Sequence, residues 1–359
     1  MKKILYGIQG TGNGHLARAR ALVPELRLAG FELDFILTGR NREDYFNMEL
    51  FDGFECYPGL SLISEKGKLK PWATMTKNSF LGFLQDVRKL DVSKYDLVIS
   101  DFEPLTAWAS RLAKVQCLGI SHQAAFAFDV PKVRGYLGSK LLMHGFAPAD
   151  SYVGLHWHDF GQPILPPLIE PLRLKPIVEN KILVYMGFEA IEDVVKFVAP
   201  FKNYEFHLYC KVEQKQTIEN VILKPFSHQG FHQDLDDCAG VISNAGFELA
   251  SECMFLGKKL LMKPLIGQYE QHCNALAMQT LQRATVIQDL SASMLEKWLD
   301  LPGHHPIVYA NVAQELARWI KSDQHESVSE LAEKLWAGCD MPFTYNDSFG
   351  NRLQPDLVS

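Results

Sequence analysis

Short apolar runs separated by longer stretches of helical periodicity mark most of the chain. Ile4 to Ile8, Leu33 to Leu37, Leu97 to Ser100, Cys117 to Ile120 and Tyr152 to Leu155 read as strands. Several show little alternation, as expected where both faces of a sheet are covered. Between them the spacing predicts helices near 15–29, 75–90, 104–114 and 132–145, which makes an open sheet of βαβ units. Residues 161–176 interrupt the pattern with five prolines, which forbid a continuous helix or central strand and suit a stiff connection. The alternation then restarts, with strands at Ile182 to Met186, Glu205 to Tyr209, Val221 to Lys224, Gly240 to Ser243 and Lys259 to Met262. Helices are expected near 189–199, 246–256 and 270–281. Two α/β domains follow, 1–160 and 177–305. The remainder, 306–359, shows helices near 308–320 and 326–337 and no strand of its own, so it must pack on something already built.

Composition agrees with two ordinary cores, since 359 residues is about two domains at the usual size of about 150 residues each. With 47% hydrophobic and 22% charged residues the chain is neither disordered, collagen-like nor a disulfide knot. A net charge of -6 and the lack of a basic stripe argue against a general nucleic-acid binder. The negative excess belongs to the part after residue 160, the first part being slightly positive. Seven cysteines without CxxC spacing read as reduced residues of a cytoplasmic protein. The amino terminus runs straight into a strand pattern, and no stretch approaches the ~20 apolar residues of a membrane span. The expectation is a soluble cytoplasmic protein, at most peripheral at the inner face of a membrane.

Chemistry concentrates at strand ends. The first strand runs into Gly10-Thr11-Gly12-Asn13-Gly14-His15, and a helix opens at once. Glycines here permit a sharp turn and let a ligand approach bare amides at a helix N-terminus. A dinucleotide loop would need glycine at position 15, and a P-loop would need lysine at position 13, so both fail on spacing. What remains is a turn that delivers His15 to a helix N-terminus, where the dipole disfavours the imidazolium. Asp101 ends another strand just before a helix. Alone, His15 reads equally as a helix cap and Asp101 as an N-cap; side by side they make a two-part general base. In the second half, Ser243-Asn244-Ala245-Gly246 leads a strand into a helix whose amides can hold a phosphate. Glu252, two turns further on, has the reach to accept ribose hydroxyls, and Gln268, Glu270 and Gln271 open the next helix.

These paired motifs resemble the GT-B superfamily of nucleotide-sugar glycosyltransferases over about residues 1–290. The nearest branch holds the peptidoglycan N-acetylglucosaminyltransferase and the UDP-glucuronosyl and plant glucosyltransferases. The Gly12-Asn13-Gly14-His15 and Ser243-Asn244-Ala245-Gly246 runs are also similar to those of an uncharacterised bacterial and archaeal group of glycosyltransferases. The resemblance implies a fold of two Rossmann-like α/β domains facing a cleft, with the final helices crossing back onto the first. It makes His15 the catalytic base and Asp101 its activating acid. It places the donor on Gly187, Phe231, Ser243, Asn244, Ala245, Gly246, Glu252, Gln268, Glu270 and Gln271, with Gly12, Asn13 and Gly14 forming the acceptor and diphosphate loop. Pro264 and Asn274-Ala275 match the same motif. The implied reaction is inverting transfer from a nucleotide sugar, UDP-linked in that branch, to an acceptor hydroxyl of a lipid-linked or polysaccharide glycan, with no metal and no cofactor.

Two departures are visible. Asn244 stands where the plant enzymes carry a diphosphate-binding histidine, and Met186-Gly187-Phe188-Glu189 replaces a Gly-Gly-Ser type turn. A nucleotide-sugar 2-epimerase of the same superfamily and a non-catalytic nucleotide-sugar-binding protein are the rival readings. His156-x-His158-Asp159 has metal-like spacing but sits at a domain edge; His228, His232, His304 and His305 read as loop surface. Ser227 to Asp234 falls where the family's base-binding loop lies, which would bring Phe231 to the nucleotide base. Lys132, Arg134 and Lys140 belong to an amphipathic stretch that suits core packing or contact with a membrane surface.

Overall fold

The computed structural model describes residues 2–60, 64–65, 68–69, 79–133 and 145–341. The first half is a six-stranded parallel sheet built from β1 (Lys3–Gln9), β2 (Glu32–Thr38), β3 (Glu55–Tyr57), β4 (Leu97–Asp101), β5 (Cys117–Ser121) and β6 (Ser151–Gly154). Their order is β3-β2-β1-β4-β5-β6. The connecting helices are α1 (Asn13–Leu28), α2 (Phe80–Lys89), α3 (Pro104–Ala113) and the single turn α4 (His122–Ala125). Ile4, Leu5, Tyr6 and Ile8 are all buried, so β1 is covered on both faces, as its unbroken apolar run required.

The second half is a seven-stranded sheet of β7 (Val178–Tyr185), β8 (Glu205–Tyr209), β9 (Gln216–Ile218), β10 (Val221–Lys224), β11 (Cys238–Asn244), β12 (Lys259–Lys263) and β13 (Thr285–Val286). Its order is β9-β10-β8-β7-β11-β12-β13, parallel except for the edge strand β9. Its helices are α5 (Ile191–Val198), α6 (His228–Asp237), α7 (Phe247–Leu256), α8 (Tyr269–Thr280) and α9 (Ala292–Leu299). The segment expected as a base-binding loop is therefore α6, capped by Ser227, whose hydroxyl accepts from the Gly230 amide. Its polar composition hid the helical period.

The connection at 161–176 begins inside the first half. Ile164 and Leu165 are fully buried, and Leu165 pairs with Leu155. Two further helices, α10 (Val312–Lys321) and α11 (Val328–Ala337), follow the second half. The apolar stripe of α10 lies against α1, and Trp336 of α11 donates its indole N–H to the Ile164 carbonyl at 2.7 Å. Residues 75–78 of one expected helix, 134–144 of the basic amphipathic stretch and 342–359 lie outside the described residues. Lys132, the described start of that stretch, donates to the Phe126 and Phe128 carbonyls.

Both sheets have a point where successive strands turn to opposite sides, and ligands of open α/β sheets bind at the carboxyl ends there. In the first sheet it lies between β1 and β4, with Ile8 level with Asp101. In the second it lies between β7 and β11, with Tyr185 level with Ser243. The topology thus aims the glycine turn before His15 and the turn at Asn244 to Gly246 at sheet edges suited to a ligand.

Candidate active site

The turn out of β1 depends on missing side chains. A Cβ at Gly7 would run into the Thr106 hydroxyl and Glu103, and one at Gly10 into the Tyr45 hydroxyl and the Thr38 carbonyl. Gly12 caps α1 in an extended conformation without a side-chain cap. Side-chain caps do close α2, α3, α6, α8, α10 and α11. By contrast α1, α5 and α7, which start at the two switch points, have none, as does α9. No side chain takes the first-turn amides of α1, α5 and α7, and apart from that of Asp193, which donates to the Ala190 carbonyl, they can meet an anion or water.

His15, in the first turn of α1, places Nδ1 2.8 Å from Oδ1 of Asp101. Asp101 is fully buried and receives two more hydrogen bonds from Arg18, from Nε at 2.8 Å and from a terminal nitrogen at 2.6 Å. Burial alone would raise the Asp101 carboxyl, but the charges of Arg18 and then His15 outweigh it and hold it below the usual carboxylate range. An ionised Asp101 can only accept, so a hydrogen on His15 Nδ1 donates to it, Arg18 places a terminal nitrogen 3.0 Å from the same Nδ1, and in that tautomer of the neutral ring the lone pair is on Nε2. Nε2 has no hydrogen-bond partner among the described residues, and the side chain keeps 14% of its surface exposed. Phe102, directly after Asp101, has φ 50°, a sparsely populated conformation at the strand end that positions the acid.

Arg18 also pairs with Glu248 of α7, tying the two halves together. One guanidinium faces two carboxylates, and Glu252 and Glu270 add further negative charge. Burial above all, and then these acids against the opposing pull of Arg18, raise the Glu248 carboxyl to about 8. The folded chain therefore holds this proton up to about pH 8, while the unfolded chain releases it near 4.5. Across that interval the folded state binds more protons, so the stability tied to protonated Glu248 is lost as pH rises. Glu248→Gln, neutral at every pH, is expected to remove this loss. The wild-type melting temperature should fall relative to the variant between about pH 5 and 9; parallel curves would refute the shift.

A lined cavity lies where the two halves meet. Its walls include Asn13, Gly14, Arg20, Phe46, Tyr185, Tyr209, Phe226, Phe231, Glu248 and Glu252. Phe231 stands edge-on to Tyr185 and Tyr209, with ring centroids 5.5 and 5.1 Å away. The cavity between the halves holds about 110 Å³, below the ~300–1,000 Å³ of small-molecule sites. Contacts that close them are Asn13 to the Tyr185 hydroxyl at 2.9 Å, Gln123 to Glu270 at 3.0 Å and His122 to Asn274 at 2.6 Å. Phe46 stacks on Phe226 at 5.9 Å.

Among the residues expected to hold a donor, Phe231 and Glu252 reach this cavity. Gly187 and Gly246 have open space where a side chain would be. The Asn244 side chain donates to the Lys263 carbonyl at 3.1 Å and Ala245 accepts from Asn274 at 3.0 Å, which fixes the turn. Glu270 faces the first half through Gln123. Gln268 caps α8. Two of the expected residues are buried in the fold. Ser243 lies inside β11, almost fully buried, because the strand runs one residue past it. Gln271 is buried with Oε1 accepting from the Leu265 amide at 2.8 Å, so it braces the turn after β12.

Sequence reading passed over Arg18, Glu248, His122 and Lys263. Arg18 lies one turn after His15 and Glu248 one turn before Glu252, a spacing that puts each on the same helix face as its neighbour. His122 follows β5 as Asp101 ends β4, buried and stacked on Phe247 at 3.8 Å. Lys263 ends β12 beneath the Gly187 turn and pairs with Glu189 at 2.7 Å.

A family model described as glycosyl transferase family 1 matches residues 2–135 and 158–302, most of the chain. An uncharacterized glycosyltransferase of Methanosarcina acetivorans is 33% identical over 127 residues, 34% of this chain and 32% of the relative, so the match spans about a third of the relative's length. Among solved structures, UGT89C1 of Arabidopsis thaliana complexed with UDP superposes with a TM-score of 0.55 at 14% identity, covering 98% of this chain and 97% of the other. VinC in complex with dTDP gives 0.52 at 16% identity over 93% and 98%. MurG of Acinetobacter baumannii gives 0.50 at 14% identity over 94% and 100%. These likenesses establish the GT-B fold, two α/β halves facing a cleft. With both halves matched by one family model and the turns of both switch points inside the matched segments, the chain belongs to glycosyl transferase family 1.

Proposed function

We propose that the chain is an inverting, metal-independent glycosyltransferase that moves a sugar from a nucleoside diphosphate donor, UDP-linked or of similar kind, to an acceptor hydroxyl. The observation that carries this reading is the His15–Asp101 pair, with a free Nε2, at the switch point of one half, linked by Arg18 to Glu248 on the donor-side helix of the other. His15 Nε2 takes the acceptor proton as the acceptor oxygen forms its bond to the anomeric carbon. The bond from that carbon to the diphosphate oxygen breaks on the opposite face, and the nucleoside diphosphate departs. Asp101 keeps the imidazole in the reactive tautomer and stabilises the imidazolium that results. The uncapped amides of α5 and α7, near Gly187 and Gly246, meet the charge that develops on the diphosphate. Phe231 flanks the base and Glu252 accepts from the ribose. The nucleotides held by UGT89C1 and VinC support this class of donor.

The acceptor half, with its contacts at Asn13, His122 and Gln123, takes the second substrate, a glycan or lipid-linked glycan. No helix among the described residues is long and apolar enough to cross a membrane. Calorimetric titration with UDP and dTDP tests donor binding. Glu252→Ala is expected to weaken the preferred nucleotide about 10- to 100-fold, the worth of hydrogen bonds to a charged group. Unchanged affinity would remove Glu252 from the donor site.

A further inference from the structure

In the wall of the donor cavity, a second cluster combines imidazole and carboxylate groups. His228 and His232 are four residues apart on α6, so both rings leave the same helix face, with centroids 4.4 Å apart. Glu170, from the segment joining the halves, places Oε1 2.9 Å from His228 Nε2. Glu252 of α7 places Oε1 3.4 Å from His232 Nε2. Ligand atoms of Glu170, His228 and His232 all lie within 4.8 Å of one another. A tetrahedral ion with nitrogen and oxygen ligands at ~2.0–2.2 Å holds those atoms about 3.3–3.6 Å apart, so small side-chain adjustments close the site.

The frame around the cluster is built. Ser227 caps α6, and Asn47 of the first half accepts from the His228 amide at 3.1 Å. Two histidines at i and i+4 on one helix face, joined by a glutamate from elsewhere in the chain, is the spacing that three-ligand zinc sites use, with a fourth position open. Two imidazole nitrogens in the set disfavour magnesium and calcium, which take oxygen ligands, and favour zinc and its transition-metal neighbours.

We propose that Glu170, His228 and His232 bind one divalent ion of the zinc class, with Glu252 adjacent as a second carboxylate. The ion would fasten the segment between the halves to the donor half at the rim of the cavity. The site uses neither His15 nor Asp101, the groups that move the proton, but its two histidines share a wall of the donor cavity with Glu252.

The test is calorimetric titration of the full, metal-stripped chain with Zn²⁺, together with visible absorption of the Co²⁺-loaded chain. One ion per chain and a tetrahedral cobalt spectrum are expected. Glu170→Gln and His232→Ala should each weaken Zn²⁺ by more than about 100-fold, beyond the 10- to 100-fold typical of groups outside the ligand set. Melting curves in chelator show that each variant folds, and the near-isosteric Glu170→Gln decides the matter if His232→Ala does not. Absence of binding to the wild type, or unchanged affinity in folded Glu170→Gln, would overturn the site and leave a network of ion pairs.

Discussion

His15→Ala is expected to lower glycosyl transfer by about 10²- to 10⁴-fold, the range a positioned general base supplies, while nucleotide affinity stays within about twofold. The split follows from where the residue sits. His15 Nε2 has no partner among the described residues in a ring held by Asp101 from behind, and His15 is not among the residues that line the cavity. Removing the ring deletes the proton acceptor and leaves Asp101 with both hydrogen bonds from Arg18, so the buried ion pair survives and the melting temperature changes little. Steady-state rates beside calorimetric nucleotide titration of the same preparations check this. Equal losses in turnover and in donor affinity would make His15 a binding residue instead.

Asp101→Asn is expected to be as damaging to turnover and, unlike His15→Ala, damaging to the fold. An amide at this position can donate to His15 Nδ1, which moves the ring hydrogen to Nε2 and leaves no base. The same change strips the buried Arg18 of its counter-charge, and breaking a buried pair from one side costs about 3–5 kcal/mol. Because Asp101 is ionised well below neutrality in the fold, the stability it contributes is present above the unfolded-state pKa and is lost as pH falls through the folded one. The variant should therefore fall furthest below the wild type in stability near neutral pH and approach it in acid. A melting temperature unchanged at neutral pH, or full activity, would show that Asp101 neither balances Arg18 nor orients His15.

Much of this arrangement is legible in the sequence. Continuous apolar runs such as Ile4 to Ile8 can only be interior strands, and the glycines after them forced a turn whose next helical residue is His15. Asp101 was legible because an acid at a strand end before a helix sits at the same sheet edge. What escaped were residues whose partners lie far along the chain. Arg18 meets Asp101 and Glu248, 83 and 230 positions away, and neither distance leaves a local signature. His122 and Asn274 meet 152 positions apart in the same way. The helix α6 escaped because seven of its ten residues, His228, Gln229, His232, Gln233, Asp234, Asp236 and Asp237, are polar and offer no apolar stripe to read. The short edge strands β9 and β13 are three and two residues long, too short for periodicity to register. Gln271 was placed toward the donor on its motif alone, and only the bond to the Leu265 amide shows the side chain turned inward.

The central claim is that a nucleoside diphosphate leaves its sugar in this cleft through His15. The most direct measurement is release of free nucleoside diphosphate from a panel of nucleotide sugars, with water or added glycans as acceptor, by wild type and His15→Ala at equal donor saturation. The account predicts release by the wild type from at least one donor and a loss of about 10²-fold or more in the variant. No release from any donor, or equal release by both proteins, would contradict it.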